Sequence, residues 1–268
     1  MTIKIGVILP TSTPDPTRPI LGDVRASARL AEEAGLDSVW STDHLVASAP
    51  ILDSGVVLAT AAAVTDRITI GFGVMLLALR PVAWAAKQIA TLQLVSGNRI
   101  ALGVGTGNPA HGDIGWRAAG APFQDRGRRT DEALRVLPAL VAGQPAVLED
   151  GLEVTLAPGS PMPPVLVAGN GDRARRRAAA YGDGWLSIGL SPEEVAASLV
   201  TLGELAAEQG RPTPRATVVG PVLDADPGKG AAQLASYEAV GTERVILVPS
   251  VAGWQRDYEF AGELRAAL

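Results

Sequence analysis

Val165-Leu166-Val167-Ala168-Gly169-Asn170-Gly171-Asp172 runs directly into Arg173-Ala174-Arg175-Arg176-Arg177. The apolar, valine-rich start reads as a short buried strand, the glycines as a turn, and Arg173 to Tyr181 as a helix. The same succession repeats along the chain. Apolar, β-branched runs fall at Ile3–Leu9, Asp37–Trp40, Ile68–Phe72, Arg99–Val104, Val165–Ala168, Gly184–Ser187, Ala216–Leu223 and Arg244–Val248. Helical patterns fall at 28–34, 82–95, 126–142, 173–181, 192–208, 230–240 and 254–268. About eight strand-helix units in roughly 250 residues predict an α/β fold, a closed parallel (β/α)8 TIM barrel whose active site lies at the C-terminal strand ends.

No Ser/Gly-rich or charge-dense linker divides residues 1–268, so a single barrel domain is expected. Leu134, Leu137 and Val141, like Tyr258, Ala261, Leu264 and Leu268, recur at helical spacing and would cover the sheet. Gly35 and Gly97 each follow a helical pattern, where a left-handed cap favours glycine. Two connections exceed what a barrel needs. One is 106–124; the other, 143–164, carries an alternating Val147-x-Glu149 and Val154-x-Leu156 pattern that suggests a hairpin. Both are expected to insert at the mouth and shape the pocket.

Composition removes several function classes. A formal charge of −5 gives no electrostatic reason to bind nucleic acid or an anionic membrane. The longest apolar stretch, Ile68 to Leu79, is too short to span a bilayer, and no signal-peptide pattern opens the chain. A soluble, cytoplasmic protein is expected. The absence of cysteine excludes a disulfide framework and thiol chemistry. His44 and His111 are the only histidines and share no metal-ligand spacing, so no metal is expected. Lys4, Lys87 and Lys229 all lie away from strand C-termini, which leaves no Schiff-base nucleophile.

Two glycine-rich loops remain. Gly105-Thr106-Gly107-Asn108-Pro109-Ala110 fits a loose dinucleotide pattern, but Pro109 and the polar loop beyond it open no helix at the required place. These glycines turn the backbone over the barrel mouth and can bring Gly105 and Thr106 close to a ligand. The turn Gly169-Asn170-Gly171 is the better anion candidate, because a strand end, a flexible turn and a helix N-terminus aim free amides and a partial positive charge at one point. Arg173 stands in the first helical turn, against the dipole, where a bound anion would relieve it. The competing reading is that Asp172 simply caps the helix and the arginines form a solvated face.

Taken together, the motifs resemble the luciferase-like flavin monooxygenases and their deazaflavin (coenzyme F-420) dependent relatives. The matching pieces are Ala31-Glu32-Glu33-Ala34-Gly35-Leu36-Asp37-Ser38-Val39-Trp40 with Asp43-His44-Leu45; Thr65-Asp66-Arg67-Ile68-Thr69-Ile70-Gly71 with Arg80-Pro81; Ser96-Gly97-Asn98-Arg99 continuing to Gly107; and Gly169-Asn170-Gly171 with Gly182-Asp183-Gly184-Trp185. They occur in family order. The resemblance implies a barrel that holds FMN or coenzyme F-420 at its mouth, with the phosphate on Gly169, Asn170 and Gly171 and beside Arg173. It also implies a bulge in the third strand carrying a non-prolyl cis peptide at Gly73-Val74, behind the cofactor ring. Trp40 and Trp185 could wall that ring or belong to the core.

The resemblance places His44 near the redox ring, where an imidazole can exchange a proton or hydrogen-bond the substrate. Asp43 would orient the loop. Asn108 stands where some alcohol-oxidising relatives carry glutamate; an amide can orient a carbonyl but exchanges no proton, and His111 could supply the acid. Gly171 replaces a common Ser or Thr, so backbone amides must serve the phosphate there. The reading is an oxidoreductase passing hydride between coenzyme F-420 or FMN and a small organic substrate, possible as a homodimer. Coenzyme F-420 is preferred slightly, because the arginine-for-lysine bias is common among the actinobacteria that make it. The alternatives are FMN-dependent oxygen activation, a ligand-binding barrel without chemistry, and a lyase using Asp43.

Overall fold

The computed structural model describes residues 2–12, 22–47, 50–249 and 253–268. Eight parallel strands close into a barrel: β1 (Lys4–Ile8), β2 (Ser38–Ser41), β3 (Thr69–Met75), β4 (Ile100–Val104), β7 (Val165–Ala168), β8 (Gly184–Ile188), β9 (Arg215–Val219) and β10 (Thr242–Leu247). The pair β5 (Ala146–Val147) and β6 (Glu153–Val154) forms a separate antiparallel hairpin. The main helices between strands are α1 (Val24–Glu33), α2 (Ser54–Ala62), α3 (Val82–Ser96), α5 (Arg126–Val141), α6 (Asp172–Tyr181), α7 (Pro192–Glu208), α8 (Pro227–Ala239) and α9 (Trp254–Ala267). The loop after β4 holds a 3-10 turn at Pro109–His111 and a short helix, α4 (Ile114–Ala118).

The strand readings hold with small shifts. β9 ends at Val219 rather than Leu223, because Gly220 takes a left-handed conformation (φ 65°) and turns the chain away. The helix α2 was not anticipated. Its sequence, Ser54-Gly-Val-Val-Leu-Ala-Thr-Ala-Ala62, is apolar all round and offers no amphipathic stripe to read, although Asp53 caps it by accepting from the Val56 amide at 2.9 Å. The hairpin exists where the alternating pattern put it, and Leu148, Glu149 and Asp150 at its tip share a cavity with Leu77, Ala78 and Arg80, which follow β3. Its connection leads into the N-terminal end of β7, and its tip lies against the outside of α5, where Glu149 pairs with Arg128 at 2.6 Å.

Two apolar layers make the barrel core, and a smaller cluster of Leu76, Ala78, Leu79, Trp116 and Ala121 packs apart from them. Between sheet and helices lies the larger one, which includes Trp185 and Tyr258; inside the barrel, Trp40 packs with Ala101, Leu166, Leu186 and Ile246. Trp40 donates its indole N–H to Ser38 Oγ at 2.9 Å. Its ring fills the interior so fully that a Cβ on its cross-strand partner Gly71 would lie 2.1 Å from Cε3. Tyr258 of α9 reaches over to donate to the Ile8 carbonyl at 2.8 Å, tying the last helix to the mouth end of the first strand. Among the described residues no helix is long and apolar enough to cross a membrane.

Candidate active site at the barrel mouth

The floor of the mouth is apolar. Ile8, Val74, Ala168 and Val219, from the C-terminal ends of four strands, sit half-buried on the Trp40 layer. The Gly73-Val74 peptide is cis, and the β3–β4 register slips between Phe72 and Met75, which is the bulge the sequence motif implies. The Val74 side chain occupies the space a side chain at position 105 would need, its Cγ2 lying 2.5 Å from an added Cβ. Gly105 is therefore glycine for Val74. Ile8, Ala168 and Val219 went unmarked in the sequence because apolar residues that end a strand look like any other strand residue.

The glycine turn after β7 is held from two sides. Trp185 donates from Nε1 to the Gly169 carbonyl at 2.8 Å. The Asn170 amide brackets Ile188, donating to its carbonyl at 2.8 Å and accepting its N–H at 2.9 Å. Asn170 thus contributes only backbone to any ligand. Gly171 is the N-cap of α6 and provides no side-chain cap, and the amides of Gly171, Asp172 and Arg173 donate to no group among the described residues. The capping reading of Asp172 is corrected: it lies in the first turn, three-quarters exposed, with its carboxylate on Arg175 at 2.5 Å. Arg175 also donates to the Asn170 carbonyl, so one side chain both neutralises Asp172 and braces the turn.

A cleft of about 770 Å3 runs between the N-termini of α5 and α6, bounded by Thr106, Gly169, Gly171 and Arg173. It brings together sequence-distant candidates from two glycine loops. Arg126, Arg176 and Arg177 line it as well, and these were not singled out from the sequence, where nothing shows that α5 begins beside α6. Arg177 is neutralised by Asp131, with contacts of 2.5 and 3.1 Å. Arg126 lies 4.0 Å from the centre of the Phe123 ring, its Nε buried without a partner. Arg126, Arg173 and Arg176 have no ion pair among the described residues, which leaves three uncompensated cations facing the cleft.

Across the floor, β2 ends in Ser41-Thr42-Asp43-His44. Asp43 is buried and fully engaged: it accepts from Ser54 Oγ at 3.2 Å and from the Leu76 amide at 2.9 Å, and Arg80 Nη2 lies 2.9 and 2.8 Å from its two oxygens. It is an anchor, with no lone pair left for a lyase. His44, half-buried, meets the exposed ring of His111 edge-on at 4.8 Å between centroids. Burial lowers the His44 pKa from 6.5, the neighbouring His111 lowers it further, and Asp43 opposes both. Asn108 caps the 3-10 turn, its side chain accepting from the Ala110 amide at 3.0 Å, and stays exposed. Trp40 and Trp185 are fully buried and belong to the core.

A family model described as luciferase-like monooxygenase matches residues 3–251. An uncharacterized protein of Mycobacterium tuberculosis is 36% identical over 171 residues, 62% of this chain and 58% of that protein. An F-420-dependent hydroxymycolic acid dehydrogenase of the same species is 30% identical over 203 residues, 66% of this chain and 55% of that one. The chain thus spans little more than half the length of these relatives. Among solved structures, an F-420-dependent secondary alcohol dehydrogenase in complex with an F-420-acetone adduct superposes with a TM-score of 0.78 over 100% of both chains at 19% identity. The oxygenating constituent of 3,6-diketocamphane monooxygenase from Pseudomonas putida, in complex with FMN, superposes with a TM-score of 0.71, at 22% identity, over 84% of this chain and 68% of that one.

Proposed function

Because the chain belongs to the luciferase-like monooxygenase family, we propose that it is an oxidoreductase that passes hydride between coenzyme F-420 or FMN and a small organic substrate at the barrel mouth. The observation that carries this reading is the open N-terminus of α6. Its first amides are free, the carboxylate in its first turn, Asp172, is held by Arg175, and Arg173 and Arg176 stand uncompensated beside it. Such a terminus favours a phosphate through both its amides and its dipole.

The residues fit a phosphate-bearing tricycle. Gly169, Gly171 and Arg173 would hold the phosphate, with Thr106 on the facing wall of the cleft. The apolar floor around Gly73 and Val74 suits a flat ring and excludes water from it. When bound, the ring supplies the hydride donor or acceptor that no side chain here can provide. His44, kept neutral by burial, accepts the proton of an alcohol substrate, and Asn108 orients a substrate oxygen through its free amide N–H groups. Coenzyme F-420 is preferred over FMN because the cleft carries more basic side chains than one phosphate requires, which suits the acidic tail of the deazaflavin. The exposed Val56, Trp84 and Val95 on α2 and α3 favour pairing of two copies.

Fluorescence titration of the purified protein with each cofactor tests the reading. Saturable binding of at least one is expected. Arg173→Ala should weaken it by about tenfold or more, as for loss of a charge-assisted hydrogen bond. Failure of both cofactors to bind at high concentration overturns it, and tighter binding of FMN assigns the cofactor the other way.

A further inference from the structure

The opposite end of the barrel holds another cation, this one buried and without a hydrogen-bonded partner among the described residues. A cavity of about 500 Å3 opens there, among the N-terminal ends of the strands. Arg244 of β10 lines it while remaining only 8% exposed. Its Nε is buried without a partner, its terminal nitrogens donate to no described residue, and its one ring contact is with Trp40, 5.5 Å from the guanidinium carbon. Isolated buried charge is costly, by several kcal/mol per ion, unless something pairs with it.

The neighbouring charges are already committed to one another. Arg99 directs its nitrogens to the carbonyls of Ala62, Thr65, Ile68 and Ser96. Glu243 is shared by Lys4 at 2.6 Å and Arg215 at 3.5 Å. Asp183 accepts from the Val165 amide, and Asp37 accepts from the Ile5 amide and lies 3.6 Å from Arg265. Four basic side chains line the cavity against two acidic ones, and Arg244 alone makes no hydrogen bond or ion pair with a carboxylate or carbonyl of the described residues, although Glu243 and Asp37 lie near enough to favour its charge.

We propose that the base of the barrel is a binding site for a small tetrahedral oxyanion, phosphate or sulfate, held by Arg244. A guanidinium presents parallel N–H groups that match two oxygens of such an anion, whereas chloride offers a single point. Lys4 and Arg215 at the rim favour entry of negative charge. The site is separate from the mouth, and the Trp40 layer lies between them.

The test follows inorganic phosphate and sulfate titrated against chloride at constant ionic strength, reading the thermal midpoint of the full chain. Because phosphate can also enter the mouth cleft, the titration is run in Arg173→Ala/Arg176→Ala protein. A saturable rise is expected there, absent when Arg244→Met is added and at least tenfold weaker in affinity with Arg244→Lys. An equal response in the Arg244→Met protein overturns the proposal, as does no response beyond that of chloride, which would mean that water alone fills the cavity. Should Arg244→Met fail to fold, the Nε–H nuclear magnetic resonance signal of Arg244 in the unsubstituted chain decides: it moves saturably with phosphate, or the site does not exist. Failure of cofactor binding at the mouth leaves this outcome untouched.

Discussion

Trp185 and Gly169 are joined by a 2.8 Å hydrogen bond from the indole Nε1 to the carbonyl oxygen, so the turn at the head of α6 is positioned by a side chain rooted in the core. Gly169 itself has φ 130°, and a Cβ there would lie 2.8 Å from Ala174 Cβ. Trp185→Phe keeps much of the packing and removes the donor. We expect a loss of about 1–2 kcal/mol in denaturant unfolding, the cost of an unpaired, partly buried carbonyl and the smaller ring. Cofactor affinity should fall several-fold as the turn loosens. Unchanged affinity would show that Asn170 and Arg175 set the turn without Trp185.

The barrel was legible because its strands are short apolar runs ended by polar or glycine residues, a pattern local enough to read. So was the placement of Asp43 and His44 just past a strand, and of Gly169 and Arg173 where β7 gives way to α6. The rest depends on contacts between distant segments. Nothing in Arg126 or Arg176 shows that they share a cleft, because that requires α5 and α6 to begin side by side. The helix α2 hid in a uniformly apolar sequence. Arg244 read as the charged start of a strand, and only closure of the barrel turns it into a buried cation.

Trp40 and Gly71 form a size-complementary pair across β2 and β3. A methyl group at position 71 would overlap the indole and force the barrel to open locally. Gly71→Ala should cost about 3 kcal/mol, at the upper end for overpacking. Trp40→Phe removes the overlapping ring atoms, so the double variant should be more stable than Gly71→Ala alone. Equilibrium denaturation of the four proteins measures the coupling, and simple additivity would contradict the proposed overlap.

Asp43 fixes the loop that carries His44 through its contacts with the Leu76 amide and Arg80. Asp43→Asn leaves Arg80, 21% exposed, without its counter-ion. Stability should fall by about 2–3 kcal/mol, below the cost for a fully buried pair because water still reaches the guanidinium. Arg80→Met in addition should recover part of that loss. The same substitution removes the one group that raises the His44 pKa, so the pH at which His44 deprotonates should move down. A proton-resonance titration of the two histidines reads that shift directly.

His44 and His111, 4.8 Å apart, cannot both be protonated without mutual repulsion, and burial already disfavours charge on His44. The neutral form is the one able to accept a proton. Activity in the alcohol-oxidising direction should therefore rise with pH through a value below 6.5 and then level off. His111→Gln should move that limb upward without reaching 6.5, because the larger cause, burial, remains. His44→Gln should abolish the limb and lower kcat by about 10²–10⁴, the usual contribution of a positioned acid or base. Stability obeys the same linkage. The folded pKa lies below the unfolded one, so the unfolded chain takes up the proton first as pH falls. Stability should be full above about 6.5 and decline from there down to the folded pKa, with a weaker decline in His111→Gln. An activity profile that ignores His44→Gln would remove the imidazole from the chemistry while leaving the cofactor cleft intact.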